Sequence, residues 1–407
     1  MRDLVNCIRA RYIGLVLPLI RASRYGMFIL GSLLAMAPVT LNAQQNSESR
    51  LPRPDEAPIA LLVDLTSGQT LYARNADTRF IPASITKVMT LFLAFELLEE
   101  GKLHPDQRFT VRPETFRAWS GKGSTMFLPA DANVSVAELL FAIANISAND
   151  GSVALAEGHA GSISAWADEM NAKARSIGMA DSRFGTPNGW PDEGKTFTSA
   201  NDLAILALTM LQRHPAKFEH YIGRATYTYN GITQPNHDPM LGKVRGADGI
   251  KTGFTNEAGY GFLGTASRNG QRLAMVIAGV ERSGLRARLA REFIEWGFEN
   301  FDRERLFLAN QVIANAKVQG GTTLEVPLVS DRNVYVNLPQ GIGGDVTMRV
   351  RYIGPLRAPL AAGDRVAELL IEVPGMQTAT IPLRAGRDVE TAGFVRRIVN
   401  GFAGWIR

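Results

Sequence analysis

The chain holds a single cysteine in 407 residues, Cys7, which excludes an intramolecular disulfide and any cysteine-built metal cluster. Its five histidines, His104, His159, His214, His220 and His237, form neither His-Glu-x-x-His nor another close ligand pair, so no metal site is expected. No nucleotide-binding loop, organic-cofactor motif, internal repeat or low-complexity tract is present, and no cofactor is expected. Apolar runs are too few for a polytopic membrane protein. An excess of positive charge is also largely missing. The net charge is +5, but residues 1–43 carry Arg2, Arg9, Arg11, Arg21 and Arg24 against Asp3 alone, which leaves about +1 for everything else. A nucleic-acid partner needs a basic stripe to neutralise phosphates, and none is expected here. What is there is 45% apolar and 20% charged residue content with 39 glycines, enough for a sizeable core and for more than one domain.

The ends differ from the middle. The early arginines precede an apolar stretch, Met27 to Val39, then Leu41-Asn42-Ala43 and the polar segment Gln44 to Arg50. This predicts an export signal over 1–43 with cleavage after Ala43; an uncleaved anchor helix is the alternative. Over 391–407, Phe394, Ile398, Phe402 and Trp405 recur at helical spacing with arginines on other faces, so a short amphipathic helix is expected. It suits either a membrane interface or the protein's own core.

Between the ends, Ile59 to Asp64, the Ser67-Gly68 turn and Thr70 to Ala73 read as a β-hairpin. Helical patterns follow from Ser84 to Glu100 and at Val136–Ile146, Ile163–Ile177, Asn201–Gln212 and Leu285–Phe298. Strands are expected at Tyr260–Ala266 and Arg272–Val280, joined through Asn269-Gly270. Strands flanking a helical middle predict an α+β domain with helices on a mostly antiparallel sheet, over 44–305. The Val-rich alternation of 306–390, broken by Gly and Pro turns, predicts a small all-β domain.

Three short elements carry chemistry. Ser84 and Lys87, three residues apart at a helix start, share one face, as a serine nucleophile and a lysine base require. Alone the pair reads more readily as an N-cap serine followed by a solvated lysine. Ser147-Ala148-Asn149 offers a hydroxyl and an amide; Lys251-Thr252-Gly253 offers a cation, a hydroxyl and a close backbone approach before a strand. Ser-Ala-Asn-Asp occurs again at 199–202, where capping of a helix accounts for it.

Taken together, Asp64-x-x-Ser67-Gly68, Pro82-Ala83-Ser84-Ile85-Thr86-Lys87, Ser147-Ala148-Asn149-Asp150, Phe184-Gly185-Thr186-Pro187-Asn188-Gly189 and Asp248-Gly249-Ile250-Lys251-Thr252-Gly253-Phe254-Thr255 resemble the active-site serine penicillin-recognising enzymes. The resemblance is greatest to the low-molecular-mass penicillin-binding proteins that act as D-alanyl-D-alanine carboxypeptidases, and it covers most of the chain. It implies a β-lactamase/transpeptidase-like domain, Ser84 as nucleophile, Lys87 as base and Ser147 as proton relay. Asn149, Lys251, Thr252, Gly253 and Arg286 are implied to bind substrate, with Arg288 the rival of Arg286. The backbone N–H groups of Ser84 and Phe254 are implied to form the oxyanion hole. His237 stands where many relatives carry an arginine. The implied partners are peptidoglycan stem peptides ending in D-Ala-D-Ala, β-lactams as covalent inhibitors and, through the C-terminal helix, the outer face of the inner membrane. A D,D-endopeptidase or a serine β-lactamase shares these motifs, although the acids between 149 and 251 supply no counterpart of the class A deacylating glutamate. An inactive wall-binding protein is the reading from another class.

Overall fold

The computed structural model describes residues 15–16, 51–341 and 346–394; apart from Leu15, Val16 and 391–394, the export signal and the C-terminal helix lie outside the described residues. The described chain divides into two compact units, one built from 51–66 and 71–299, the other from 15–16, 67–70, 300–341 and 346–394.

The first unit is organised by a five-stranded sheet of β1 (Ile59–Asp64), β2 (Gln69–Arg74), β3 (Ala247–Thr255), β4 (Gly259–Arg268) and β5 (Gln271–Val280), in the order β2-β1-β5-β4-β3. The pairs β1/β5, β5/β4 and β4/β3 are antiparallel. Asn269 and Gly270, at φ 49° and 74°, supply the left-handed pair that a tight β4–β5 turn needs. The middle of β4 and of β5 is buried at successive positions rather than alternate ones, because both sheet faces are covered. Ile59, Leu61, Val276 and Ala278 join the core shared with the helices of the middle. Leu62 and Leu273 instead lie under Gly297 of the long C-terminal helix Ser283–Glu299, where a Cβ would come within 2.5 Å of Leu62.

The helical layer surrounds α1 (Lys87–Glu99), buried from Lys87 through Leu97 and apolar on nearly every side. Around it stand α2 (Val136–Asn145), α3 (Asn149–Ala160), α4 (Ile163–Ser176) and α5 (Ala200–Arg213); the helix Ser283–Glu299 is α6. Their starts follow local chemistry. Ser135 and Glu138 form a reciprocal capping box, and Ser162 and Ser199 accept the N–H groups of Ala165 and Asp202. The second Ser-Ala-Asn-Asp copy is thus a helix cap, as its sequence suggested. Glu96, on the buried length of α1, is pushed up by burial, yet hydrogen bonds from Lys173 (2.7 Å) and with His214 (2.8 Å) outweigh this and hold its carboxyl below the usual range.

The second unit is all β. A seven-stranded sheet includes Arg365–Glu372 and Ala379–Ala385, in which Ala367, Leu369, Ile371, Ala379, Ile381, Leu383 and Ala385 are buried at alternate positions. A separate antiparallel pair joins Phe301–Phe307 to Val334–Pro339.

Candidate active site

Ser84 does not begin the α-helix. It lies in a 3₁₀ turn, Ala83–Thr86, entered through Ala83 at φ 48°, and Lys87 opens α1 directly afterwards. The tighter turn eclipses positions three apart, which suits Ser84 and Lys87 better than α-helical spacing. Lys87 is fully buried, and its Nζ lies 2.8 Å from Ser84 Oγ, 2.7 Å from Asn149 Oδ1 and 2.8 Å from the Asn188 carbonyl. Burial, reinforced by the nearby Lys251 ammonium and opposed by Asp150, takes Lys87 well below the ordinary lysine range.

The other two elements converge on this pair. Ser147, at φ 63°, forms the turn between α2 and α3, and Asn149 is the first residue of α3. The Asn149 side chain donates to the Lys122 carbonyl (2.9 Å) and its N–H to the Ser124 carbonyl (2.8 Å), which ties the 122–124 loop to the site. Asp150 extends the clamp by accepting the N–H groups of Met126 (3.0 Å) and Leu128 (3.1 Å). From the opposite side, β3 presents Lys251, Thr252, Gly253 and Phe254. Lys251 is buried and donates to the Thr252 carbonyl (3.2 Å); burial, then the Arg286 guanidinium, lower it to about 7, against the pull of Asp238. Phe254 is exposed and stacks on Tyr260 with ring centroids 4.1 Å apart.

These residues surround a cleft of about 600 Å³ lined by Ser84, Ser147, Asn149, Thr252, Gly253, Phe254 and Arg286 together with Gly123, Ser124, Asn188, Gly189, Trp190, His237 and Tyr260. Among the described residues no carboxylate lines it. Of the two rival arginines, Arg286 faces the cleft, over the Tyr260 ring at 5.5 Å, with its Nε buried and without a hydrogen bond. Arg288 is engaged elsewhere, with Glu56 (2.6 Å) and Glu292 (2.8 Å). Among the described residues no three His, Cys, Asp or Glu side chains converge as metal ligands.

Sequence reasoning did not single out Asn188, Asp150, Trp190 or Asp238. Asn188 reaches Lys87 across 101 residues, and only the Thr-Pro-Asn-Gly segment hinted at a constrained turn. The constraint is Gly189. At φ 73° its Cβ would lie 1.8 Å from the Ala83 carbonyl oxygen, so this turn packs directly on the one carrying Ser84.

With this geometry in place, the matches to known proteins are consistent. Residues 45–282 match the family model described as D-alanyl-D-alanine carboxypeptidase, and 301–391 match penicillin-binding protein 5, C-terminal domain. The chain belongs to the D-alanyl-D-alanine carboxypeptidase family. It is 30% identical over 372 residues to the carboxypeptidase DacA of Haemophilus influenzae, covering 91% of this chain and 94% of that protein. The structure of penicillin-binding protein 5 from Haemophilus influenzae superposes with a TM-score of 0.72 at 31% identity, over 82% of this chain and 98% of that one. Penicillin-binding protein D2 from Listeria monocytogenes, solved in its cefotaxime-bound form, matches at 29% identity and a TM-score of 0.54, over 60% of this chain and 98% of that one. The family fold is thus the α+β domain followed by the all-β domain.

The Gly189 contact predicts a specific asymmetry. Gly189→Ala is expected to cost about 3 kcal/mol or more in urea unfolding, and Gly194→Ala only about 1 kcal/mol. Gly194 has nearly the same φ, 78°, but open space around it. Equal costs would contradict the close packing of the two turns.

Proposed function

We propose that this chain is a serine D-Ala-D-Ala carboxypeptidase that removes the terminal D-alanine of peptidoglycan stem peptides through an acyl-enzyme on Ser84, and that β-lactams acylate the same serine. The observation that carries this reading is the environment of Lys87. A neutral amine has two N–H donors and one lone pair, and its three neighbours are two carbonyl oxygens that can only accept and one hydroxyl that can donate. Uncharged Lys87 therefore donates to Asn149 and Asn188 and accepts from Ser84.

Lys87 takes the Ser84 proton as Oγ attacks the carbonyl carbon of the penultimate D-alanine. The tetrahedral oxygen that gains charge is met by the backbone N–H groups of Ser84 and Phe254. The C–N bond then breaks as Ser147 relays the proton held by Lys87 to the departing amine, so D-alanine leaves and Lys87 is neutral again. Water gives a proton to Lys87 as its oxygen attacks the acyl carbonyl, and Lys87 returns that proton to Ser84 Oγ as the ester C–O bond breaks. Asn149 holds the substrate amide. Arg286 and Thr252 grip the terminal carboxylate, Lys251 adds positive potential, and Gly253 lets β3 approach closely, since a Cβ there would meet the Pro82 carbonyl at 2.4 Å. Among the described residues no acid lines the cleft to activate a deacylating water, which favours this reading over a β-lactamase of the glutamate-dependent kind.

The proposal extends to location. The arginine-rich, then apolar, start of the chain supports export to the periplasm, and the spacing of Phe394, Ile398, Phe402 and Trp405 supports attachment to the outer face of the inner membrane. Among the described residues no helix is long and apolar enough to cross a membrane.

Two outcomes are expected. Residues 44–407 release D-alanine from a peptide ending in D-Ala-D-Ala and are durably labelled by a fluorescent penicillin, and Ser84→Ala loses both; a folded variant that keeps either would remove Ser84 from the mechanism. Truncation from Gly393 onward frees the protein from membranes in fractionation and leaves D-alanine release within about threefold; retention on membranes would exclude the C-terminal helix as the anchor.

A further inference from the structure

Trp190 takes no part in the steps above, yet it lines the cleft and is 36% exposed. Tryptophan is usually buried in large part. Here the ring is open to the cleft but held in place on several sides. The Trp190 N–H donates to Asn188 Oδ1 (3.0 Å), in the same residue whose carbonyl meets Lys87. Gly189, packed on the Ala83 carbonyl, precedes it, and Pro191 follows and restricts its backbone. The ring stands edge to face with half-buried Trp119, with centroids 5.6 Å apart and an interplanar angle of 86°. Lys122 Nζ lies 5.8 Å from the Trp119 ring centroid, which completes the support.

The ring also has a defined place relative to the reacting groups. A Cβ at Gly123 would come within 2.9 Å of Asn149 Nδ2 and 3.2 Å of Trp190 Cζ3, so the amide and the indole are neighbours across that glycine. Arg286 belongs to another part of the lining, over the Tyr260 ring at 5.5 Å. With the terminal carboxylate at Arg286 and the substrate amide at Asn149, the peptide leaves the reacting carbonyl on the Asn149 side, where Trp190 stands.

We propose that Trp190, backed by Trp119, is a specificity-determining residue: its exposed face is a platform for a long aliphatic side chain on the substrate residue that precedes D-Ala-D-Ala. This rests on the carboxypeptidase reading and on Arg286 as the carboxylate end of the cleft. Methylene groups laid on the indole leave water together with it, and the gain grows with each one. A ring already held by Gly123 and Trp119 loses little freedom when it is covered, so little of that gain is offset. A methyl side chain covers little of the ring and gains little.

D-alanine release from acetyl-X-D-Ala-D-Ala, with X either L-alanine or Nε-acetyl-L-lysine, tests the platform with two peptides that differ only in the length of one side chain. Wild type is expected to favour the long peptide by about tenfold in kcat/KM. Trp190→Ala should abolish most of that preference by lowering kcat/KM for the long peptide about tenfold, with the short peptide changed less than about threefold. Trp190→Phe, which keeps a flat ring, should retain most of the preference. Trp119→Ala removes the support without touching the substrate, and it should weaken the preference in the same direction by a smaller factor. Equal losses for both peptides in Trp190→Ala, which a purely structural role would produce, overturn the proposal. So does a wild-type protein that processes both peptides equally well, an outcome that leaves the carboxypeptidase assignment standing. No D-alanine release from either peptide by wild type removes that assignment itself, and the platform with it.

Discussion

The structure of the site depends on one interaction, the burial of an amine between a hydroxyl and two carbonyl oxygens. A charged lysine removed from water costs several kcal/mol unless an anion pairs with it. Among the described residues no carboxylate is in hydrogen-bonding contact with Lys87; its three neighbours are Ser84, Asn149 and the Asn188 backbone. Three oxygens can accept from an ammonium as well as from an amine; burial and the nearby Lys251 charge decide for the amine. Each neighbour comes from a different part of the chain, so the requirement to seat this one nitrogen fixes the 3₁₀ turn, the start of α3 and the 186–190 turn relative to one another.

The surrounding packing reads as support for that arrangement. Gly189 lies against Ala83, and Gly253 against Pro82, so the turn bearing Ser84 is gripped by two backbones at distances no side chain allows. Asn149 and Asp150 then hold the 122–128 loop by four hydrogen bonds to backbone groups, which closes the remaining wall. Charge is distributed in the same economical way. Arg286 lines the cleft, its charge opposes that of buried Lys251, and among the described residues no carboxylate lies on the cleft surface, which favours an anionic end group on whatever occupies the cleft.

Much of this was legible in the sequence where local chemistry decides structure. The Asn269-Gly270 turn and the capping role of Ser199 depend on neighbours within a few positions, and their residue types announce them; the Ser135/Glu138 capping box, equally local, went unread. The helix α3 was not read, because Gly151, Ser152 and Gly158 give it no amphipathic pattern and its first two turns are buried throughout. Ser84 was placed on an α-helix although a 3₁₀ turn carries it; both spacings bring positions three apart together, so the pairing with Lys87 survived the error. Asn188 stayed hidden for a different reason. Its contact is made across 101 residues, and no spacing rule connects position 188 to 87. Arg286 and Arg288 were separable only once Glu56 and Glu292 were seen to engage Arg288.

The central claim is that Lys87 rests as a neutral amine beside Ser84. Lysine-selective ¹³C NMR of the unliganded protein, with the Lys87 signal identified by its loss in Lys87→Met, reads this without any substrate. The account predicts a titration midpoint well below the ordinary lysine value of about 10.4. A midpoint at that ordinary value would make Lys87 a cation at neutral pH, leave Ser84 without its base, and contradict the mechanism at its first step.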